Sequence, residues 1–315
     1  MIEINVLVTS AGVATAINVI SALKKSKIYN CKIITTDMSE EAVGLYLSDN
    51  YYITPQANDQ SFLPKIIEII RKEKIDFIFP MHSSETLLFS KNLFIFKDLD
   101  VGITIANQSA VKKCVDKVLF EKHLSENSFI SPHSYINSSD IEDYPVFIKL
   151  KVGSSSIGAY KISDLNELEF YLKNNENNYI IQEFISWQEV TIDCFVSKLG
   201  FLIACVPRFR LKVKDGKSVV AKTFFSEEVL SQVRKLLGSL EYRGACNIQM
   251  FYKNDEVKII EINPRLAAGG LPLAVAAGVN IPELMIKDYY EQLENKLIDY
   301  NSNLKMYRYL TEVFI

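Results

Sequence analysis

Short apolar runs alternate with segments of helical spacing over the first hundred residues. Ile4 to Thr9 is a strand-like run that ends in Ser10-Ala11-Gly12, and Ala14 to Lys25 repeats its apolar positions at helical intervals. Cys31 to Thr36 is a second apolar run, closed by Asp37. Ile66 to Lys72 reads as helix, Ile75 to Pro80 as a third strand, and another helix begins around Ser83-Ser84-Glu85 and continues through Leu88. Strands alternating with helices predict a parallel sheet with right-handed crossovers, the doubly wound α/β class.

Near residue 110 the rhythm changes. A helical stretch from Ser109 to Glu126 leads to Pro132, and beyond it strands dominate: Val146 to Lys151, Ala159 to Ile162, Tyr179 to Phe184, Glu189 to Val196, Phe201 to Val206, Ala245 to Tyr252 and Val257 to Ile262. Turn signals such as Lys198-Leu199-Gly200 and Lys253-Asn254-Asp255 separate them, and such tight connections favour antiparallel pairing. Helices are expected at Asp164 to Lys173, Glu227 to Leu240 and Ile281 to Leu293, which makes this part α+β. Met306 to Phe314 reads as a final strand rejoining it, with Arg308 left between a structural and a substrate-facing role. The expected division is a doubly wound domain at 1–110 and a strand-rich domain at 111–315, with no internal repeat.

Composition narrows the class without naming it. Of 315 residues, 48% are apolar and 23% charged, enough apolar surface for a core. The balance of 35 Lys and Arg against 38 Asp and Glu gives a net charge of −3, which lacks the broad basic footprint of a nucleic-acid or anionic-membrane binder. Cys31, Cys114, Cys194, Cys205 and Cys246 are scattered and odd in number, so a disulfide framework is not indicated and a reducing cytoplasm is expected. The N-terminus lacks the pattern of a signal peptide. The most apolar stretch, Gly269 to Ile286, is interrupted by prolines, Asn280 and Glu283, so no membrane span is expected.

Chemistry concentrates in three segments. In the strand at 146–151, Phe147, Lys149 and Lys151 share one face, which sets Lys149 inside an otherwise apolar strand. The following loop, Gly153, Ser154, Ser155, Ser156 and on to Gly158, can turn successive N–H groups toward an anion to which Lys149 adds a point charge. A flexible hairpin with an edge lysine is the alternative. In Glu256 to Arg265, period two puts Glu261, Asn263 and Arg265 on one face, and Gln249 reaches that face across a hairpin centred near Asn254. Oxygens from Gln249, Glu261 and Asn263 suit Mg²⁺, and Arg265 suits a transferring phosphoryl group; an exposed strand end with a surface ion pair is the alternative. Third, the strand and short linker through Gln182, Glu183, Phe184 and Ile185 can present backbone groups to an adenine edge, with Glu189 placed for ribose hydroxyls.

The order of these segments, with Lys117 upstream in Asp-Lys-Val-Leu-Phe, resembles the ATP-grasp superfamily, particularly its carbamoyl-phosphate-synthetase-like branch. The resemblance spans essentially the whole chain, and Glu-Ile-Asn-Pro-Arg is its most specific motif. It implies a pre-ATP-grasp domain at 1–110 and a two-lobed ATP-grasp domain at 111–315. It further implies that Lys117 and Lys149 contact nucleotide phosphates, that the loop at 153–158 closes over them, and that Gln182 through Ile185 line adenine with Glu189 on ribose. Gln249, Glu261 and Asn263 would hold Mg²⁺, with Mn²⁺ as a substitute, and Arg265 would be catalytic. Many members carry a carboxylate where this chain has Gln249, which weakens a second metal more than the chemistry itself.

The resemblance implies ligation of a small carboxylic acid to an amine through an acyl-phosphate, in the cytoplasm, with a homo-oligomer left open. Substrate recognition is less legible. Arg208, Arg210, Lys212 and Lys214 alternate at period two and would face one way; Arg208 and Arg210 suit carboxylates, or the row is a solvated strand edge. Gly269 and Gly270 could wrap a carboxylate with N–H groups or simply lead into a helix. His82 to Glu85 reads as helix capping ahead of ligand binding. Three rivals are weighed: a nicotinamide dehydrogenase, whose G-x-G-x-x-G fingerprint is missing; a non-catalytic nucleotide-binding protein of the same fold; and an ATP-grasp enzyme making carbamoyl phosphate or another phosphorylated product.

Overall fold

A computed structural model describes residues 1–152, 158–173, 178–214 and 216–315. The first part runs β1 (Ile2–Val8), α1 (Ala14–Lys24), β2 (Tyr29–Asp37), β3 (Asn50–Ile53), α2 (Phe62–Glu73), β4 (Phe77–Phe79), α3 (Ser83–Lys91) and α4 (Leu93–Asp98). Its sheet is parallel, in the order β3-β2-β1-β4. Both faces are covered: Val6 and Val8 of β1 point into one apolar cluster with Val19 and Leu23 of α1, and Leu7 into another with Ile66 and Ile69 of α2. Burial on both faces is why β1 reads as an unbroken apolar run.

The chain continues with α5 (Gln108–Val115), α6 (Lys117–Glu126), β5 (Ser134–Tyr135), β6 (Val146–Leu150), β7 (Tyr160–Ile162), α7 (Leu165–Leu172), β8 (Tyr179–Glu183), β9 (Gln188–Val196), β10 (Leu202–Lys214) and β11 (Lys217–Thr223). It ends with α8 (Glu227–Ser239), β12 (Gly244–Lys253), β13 (Glu256–Asn263), α9 (Leu271–Ala276), α10 (Ile281–Tyr289) and β14 (Lys305–Tyr307). Two antiparallel sheets form, one ordered β5-β8-β6-β7 and a larger one ordered β13-β12-β9-β10-β11-β14.

Several expectations are corrected. The helix expected over 109–126 is two helices, because Asp116 leaves the helical region (φ −99, ψ 108) and its carboxylate accepts from the N–H groups of Val118 and Leu119 at 3.0 and 3.1 Å. β10 does not stop at Val206 but runs to Lys214, since β11, which the sequence reading missed, pairs with it. The register shifts between Arg210 and Val213, so the expected common face of Arg208, Arg210, Lys212 and Lys214 breaks after Arg210. Of the strand expected over Met306 to Phe314 only Met306 and Tyr307 fall in a strand, β14, which starts at Lys305 and pairs with β11.

The large sheet has a polar face and an apolar one. Ile192, Cys194, Cys246 and Ile248 pack against Val229, Val233 and Leu236 of α8 in one cluster, while the residues alternating with them, Thr191, Asp193, Asn247 and Gln249, face the other way. Farther along β9 and β10, Phe195, Ala204 and Val206 join β1, α1 and α10 in a single apolar cluster. That shared core brings the carboxyl edge of the parallel sheet beside the polar face.

Candidate active site

A cavity of about 490 Å³ lies between β6 of the smaller antiparallel sheet and the polar face of the larger one, within the usual range for small-molecule sites. Its lining includes Lys117 and Lys149 from the lysine side and Arg208, Lys217, Gln249, Glu261, Asn263, Arg265 and Gly269 from the larger sheet and the loops at its edge.

Lys149 is only 6% exposed, and its Nζ lies 3.7 Å from Glu121 Oε1. Burial pushes the ammonium below the ordinary lysine range, opposed by Glu121 and Glu261 and reinforced by the positive charge of Lys117. Lys117 opens α6, where its N–H donates to Lys151 O at 3.1 Å and so joins the helix to the end of β6. Glu121, one turn further, accepts from Gln182 Nε2 at 2.8 Å and from Ser134 Oγ at 2.8 Å. Sequence reading missed Glu121, although its four-residue spacing from Lys117 sets both on one helix face.

Across the cavity Glu261 Oε1 accepts from Gln249 Nε2 at 2.9 Å and from Asn263 Nδ2 at 3.1 Å; Asn263 Nδ2 also lies 3.4 Å from Asn247 Oδ1. Register pairing of Gln249 with Glu261 and of Asn247 with Asn263 assembles this cluster. One carboxylate and three amides form an all-oxygen donor set, which fits a hard divalent cation that keeps water or phosphate ligands. Among the described residues no group of three or more His, Cys, Asp and Glu side chains is arranged for a metal. Arg265 follows directly; its Nη1 donates to Leu266 O at 3.2 Å, and burial lowers its guanidinium against the pull of Glu261.

Glu189 is ion-paired with Arg210, which also reaches Gly216 O at 2.9 Å. Burial raises the Glu189 carboxyl and Arg210 opposes the rise. Arg208 is 3% exposed: its Nε donates to Asp193 Oδ2 at 3.0 Å and its Nη1 to Ser218 Oγ at 2.9 Å. Gly270 permits this pair, since a Cβ there would lie 2.0 Å from Asp193 Oδ2 and 2.1 Å from Arg208 Nε. Asp193 and Asn247 were missed, although each is a polar residue inside an apolar strand, the signal that marked Lys149. After the register shift Val213 lines the cavity and Lys212 and Lys214 do not.

The linker residues do not line the cavity. Gln182 is buried behind Lys149 through Glu121, Glu183 Oε1 accepts from Lys258 Nζ at 2.6 Å and His133 N at 2.9 Å, and Lys161 Nζ sits 4.5 Å from the centroid of Phe184; Ile185 likewise stays off the wall. Gly153, Ser154, Ser155 and Ser156 lie outside the described residues. His82 caps α3 with Glu85 in a reciprocal box, as expected. Burial, and after it the charge of Arg265, lowers its imidazole.

A parallel sheet followed by two antiparallel sheets, with a lysine on one and carboxylate, amide and arginine groups on the other, defines the ATP-grasp class of fold. The chain belongs to the ATP-grasp superfamily and is related to carbamoyl-phosphate-synthetase-like proteins. Residues 175–312 match the family described as ATP-grasp in the biosynthetic pathway with Ter operon, and residues 6–105 match the PylC-like N-terminal domain. A D-alanine–D-alanine ligase from Petrotoga mobilis is 27% identical, covering 59% of this chain and 70% of its own length. The carbamoyl phosphate synthase large chain of Buchnera aphidicola is 23% identical over 76% of this chain, but the match spans only 24% of that protein. N5-carboxyaminoimidazole synthetase from Staphylococcus aureus, complexed with ADP, superposes with a TM-score of 0.74 at 15% identity, covering 94% of this chain and 80% of that one. Biotin carboxylase from Campylobacter jejuni, in a β-γ-ATP complex, gives 0.72 at 16% identity over 91% and 71%. Among the described residues no helix is long and apolar enough to cross a membrane.

Proposed function

We propose that this chain is an ATP-dependent carboxylate–amine ligase, with a pre-ATP-grasp domain at 1–110 and an ATP-grasp domain at 111–315. The observation that carries the reading is the convergence of Lys117, Lys149, the Gln249–Glu261–Asn263 oxygens and Arg265 on one cavity. Lys117 and Lys149 neutralise the nucleotide phosphates, and Glu189, which lines the same cavity, lies toward ribose. Gln249, Glu261 and Asn263 would hold Mg²⁺, which would supply charge neutralisation on the phosphates. A substrate carboxylate oxygen attacks the γ-phosphorus and ADP leaves; the amine nitrogen then attacks the acyl carbon, phosphate leaves, and the nitrogen gives up a proton. Arg265 stabilises charge on the transferring group, where positioning and electrostatics supply most of the acceleration.

A second reading, an ATP-grasp enzyme making carbamoyl phosphate or another phosphorylated product, is favoured by the carbamoyl phosphate synthases among the relatives. One assay separates the two: Mg²⁺-dependent ADP release scored against pools of small carboxylic acids and bicarbonate, with and without amines. Release that requires both an organic acid and an amine supports the ligase. Release with bicarbonate alone or with ammonia supports the second reading. Arg265→Ala is expected to lower kcat by about 100-fold or more while ADP affinity changes less than about threefold, as for a contact made in the transition state. An unchanged kcat removes Arg265 from the chemistry.

A further inference from the structure

The large-sheet side of the cavity carries cations that phosphoryl transfer does not use. Its lining includes Arg208, Lys217 and Arg265, and neither Lys217 nor Arg265 has a carboxylate within salt-bridge distance among the described residues. Arg265 is taken up by the transferring phosphoryl group, which leaves Lys217 and the part of the Arg208 fork that Asp193 and Ser218 do not hold.

Arg208 is fixed for recognition. Asp193 holds its Nε and Ser218 one side of Nη1, beneath Gly270, and its Nη2 donates to nothing among the described residues. A guanidinium fixed at one edge with its fork partly free matches the two oxygens of a carboxylate. The neighbouring loop is turned the same way. Ala268 O accepts from Asn18 Nδ2 at 2.8 Å and from Arg308 Nη2 at 3.1 Å, while the N–H groups of Ala268 and Gly269 donate to nothing among the described residues. Because a trans peptide sets N–H opposite C=O, tying the Ala268 carbonyl to Asn18 and Arg308 aims the Gly269 N–H away from both, and neither of those residues lines the cavity. Arg308 also stands near enough to Arg208 for the second charge to lower it, after burial; an anion between the guanidinium groups and the loop would offset that repulsion.

We propose that one substrate carries a second carboxylate, not the one activated, and that Arg208, Lys217 and the Gly269 loop bind it. The inference rests on the ligase reading and adds a substrate class to it: the amine is an amino acid, or the acid is a dicarboxylic acid. Arg308 is a positioning residue that holds the loop.

The test compares substrates that differ only in this group. ADP release is measured for alanine against ethylamine as the amine, and for glutarate against butyrate as the acid. The wild-type protein is expected to favour one carboxylate-bearing member by about 100-fold or more in kcat/KM, because a site built for a hydrogen-bonding group strongly rejects the analogue that lacks it. Which pair responds tells amino acid from dicarboxylic acid. Lys217→Gln, an exposed substitution that leaves the fold alone, is expected to shrink that preference through KM by about fivefold. Preferences under threefold in both pairs, with release still dependent on acid and amine, overturn the inference and leave the ligase standing. No release with any acid and amine pair overturns both.

Discussion

At the residue scale the site depends on what each position cannot be. Gly270 is the clearest case, because a methyl group there would overlap both members of the buried Asp193–Arg208 pair. Neither partner can retreat cheaply: burial raises the Asp193 carboxyl against the pull of Arg208, so separating them leaves a buried charge uncompensated. Gly270→Ala is therefore expected to cost about 2–4 kcal/mol in urea denaturation; a loss under about 0.5 kcal/mol would mean that the pair moves freely. Lys149 and Asp193 carry the same signal in the sequence, a charge at one position of an otherwise apolar strand. It is legible at Lys149 because a small-residue loop follows. It is not at Asp193, because the partner lies on β10 and the pairing of β9 with β10 at that register is a tertiary fact. Glu121 was hidden for a related reason, since its contacts to Gln182 and Lys149 come from two strands remote in sequence.

At the element scale, breaks in regular structure aim the functional groups. Apolar spacing from Ser109 to Glu126 is continuous enough to read as one helix, and the break at Asp116 is local chemistry that periodicity does not register. By capping α6, Asp116 starts a new helix with Lys117 in its first turn and Glu121 one turn later, facing Lys149. Asp116→Ala is expected to remove the cap at a cost of about 1 kcal/mol in stability and to raise KM for ATP severalfold with kcat less affected. Equal thermal midpoints and equal KM would show that α6 starts at Lys117 without it. The shift in β10 works in the same way. Strict alternation predicted four bases on one face, and the irregularity after Arg210 keeps two in the site and turns Lys212 and Lys214 away. Alternation is legible in a sequence; a bulge depends on the partner strand, here β11.

At the scale of the whole molecule, the parallel sheet and the large antiparallel sheet share one apolar cluster. Val6, Val8, Phe77 and Phe79 from the first meet Phe195, Ala204 and Val206 from the second, joined by Ile281, Leu284 and Met285 of α10. The change of rhythm near residue 110 marks a change of architecture, and the packing crosses it. The active-site edge uses that continuity, because Asn18 of α1 holds Ala268 and His82 stands near Arg265 only while the two sheets stay docked. Burial of this kind couples the stability of both parts. Trp187, the only tryptophan, lies between β8 and β9, so its fluorescence follows the strand-rich part alone, whereas far-ultraviolet circular dichroism follows every element. The two probes are expected to give one coincident urea transition. Phe195→Ala, which empties a fully buried position in the shared cluster, is expected to lower both midpoints together, at a cost of about 3–5 kcal/mol. Two separated transitions, or a variant that moves only the tryptophan signal, would mean that the parts fold independently and that the contact of Asn18 with Ala268 forms by docking of two finished units.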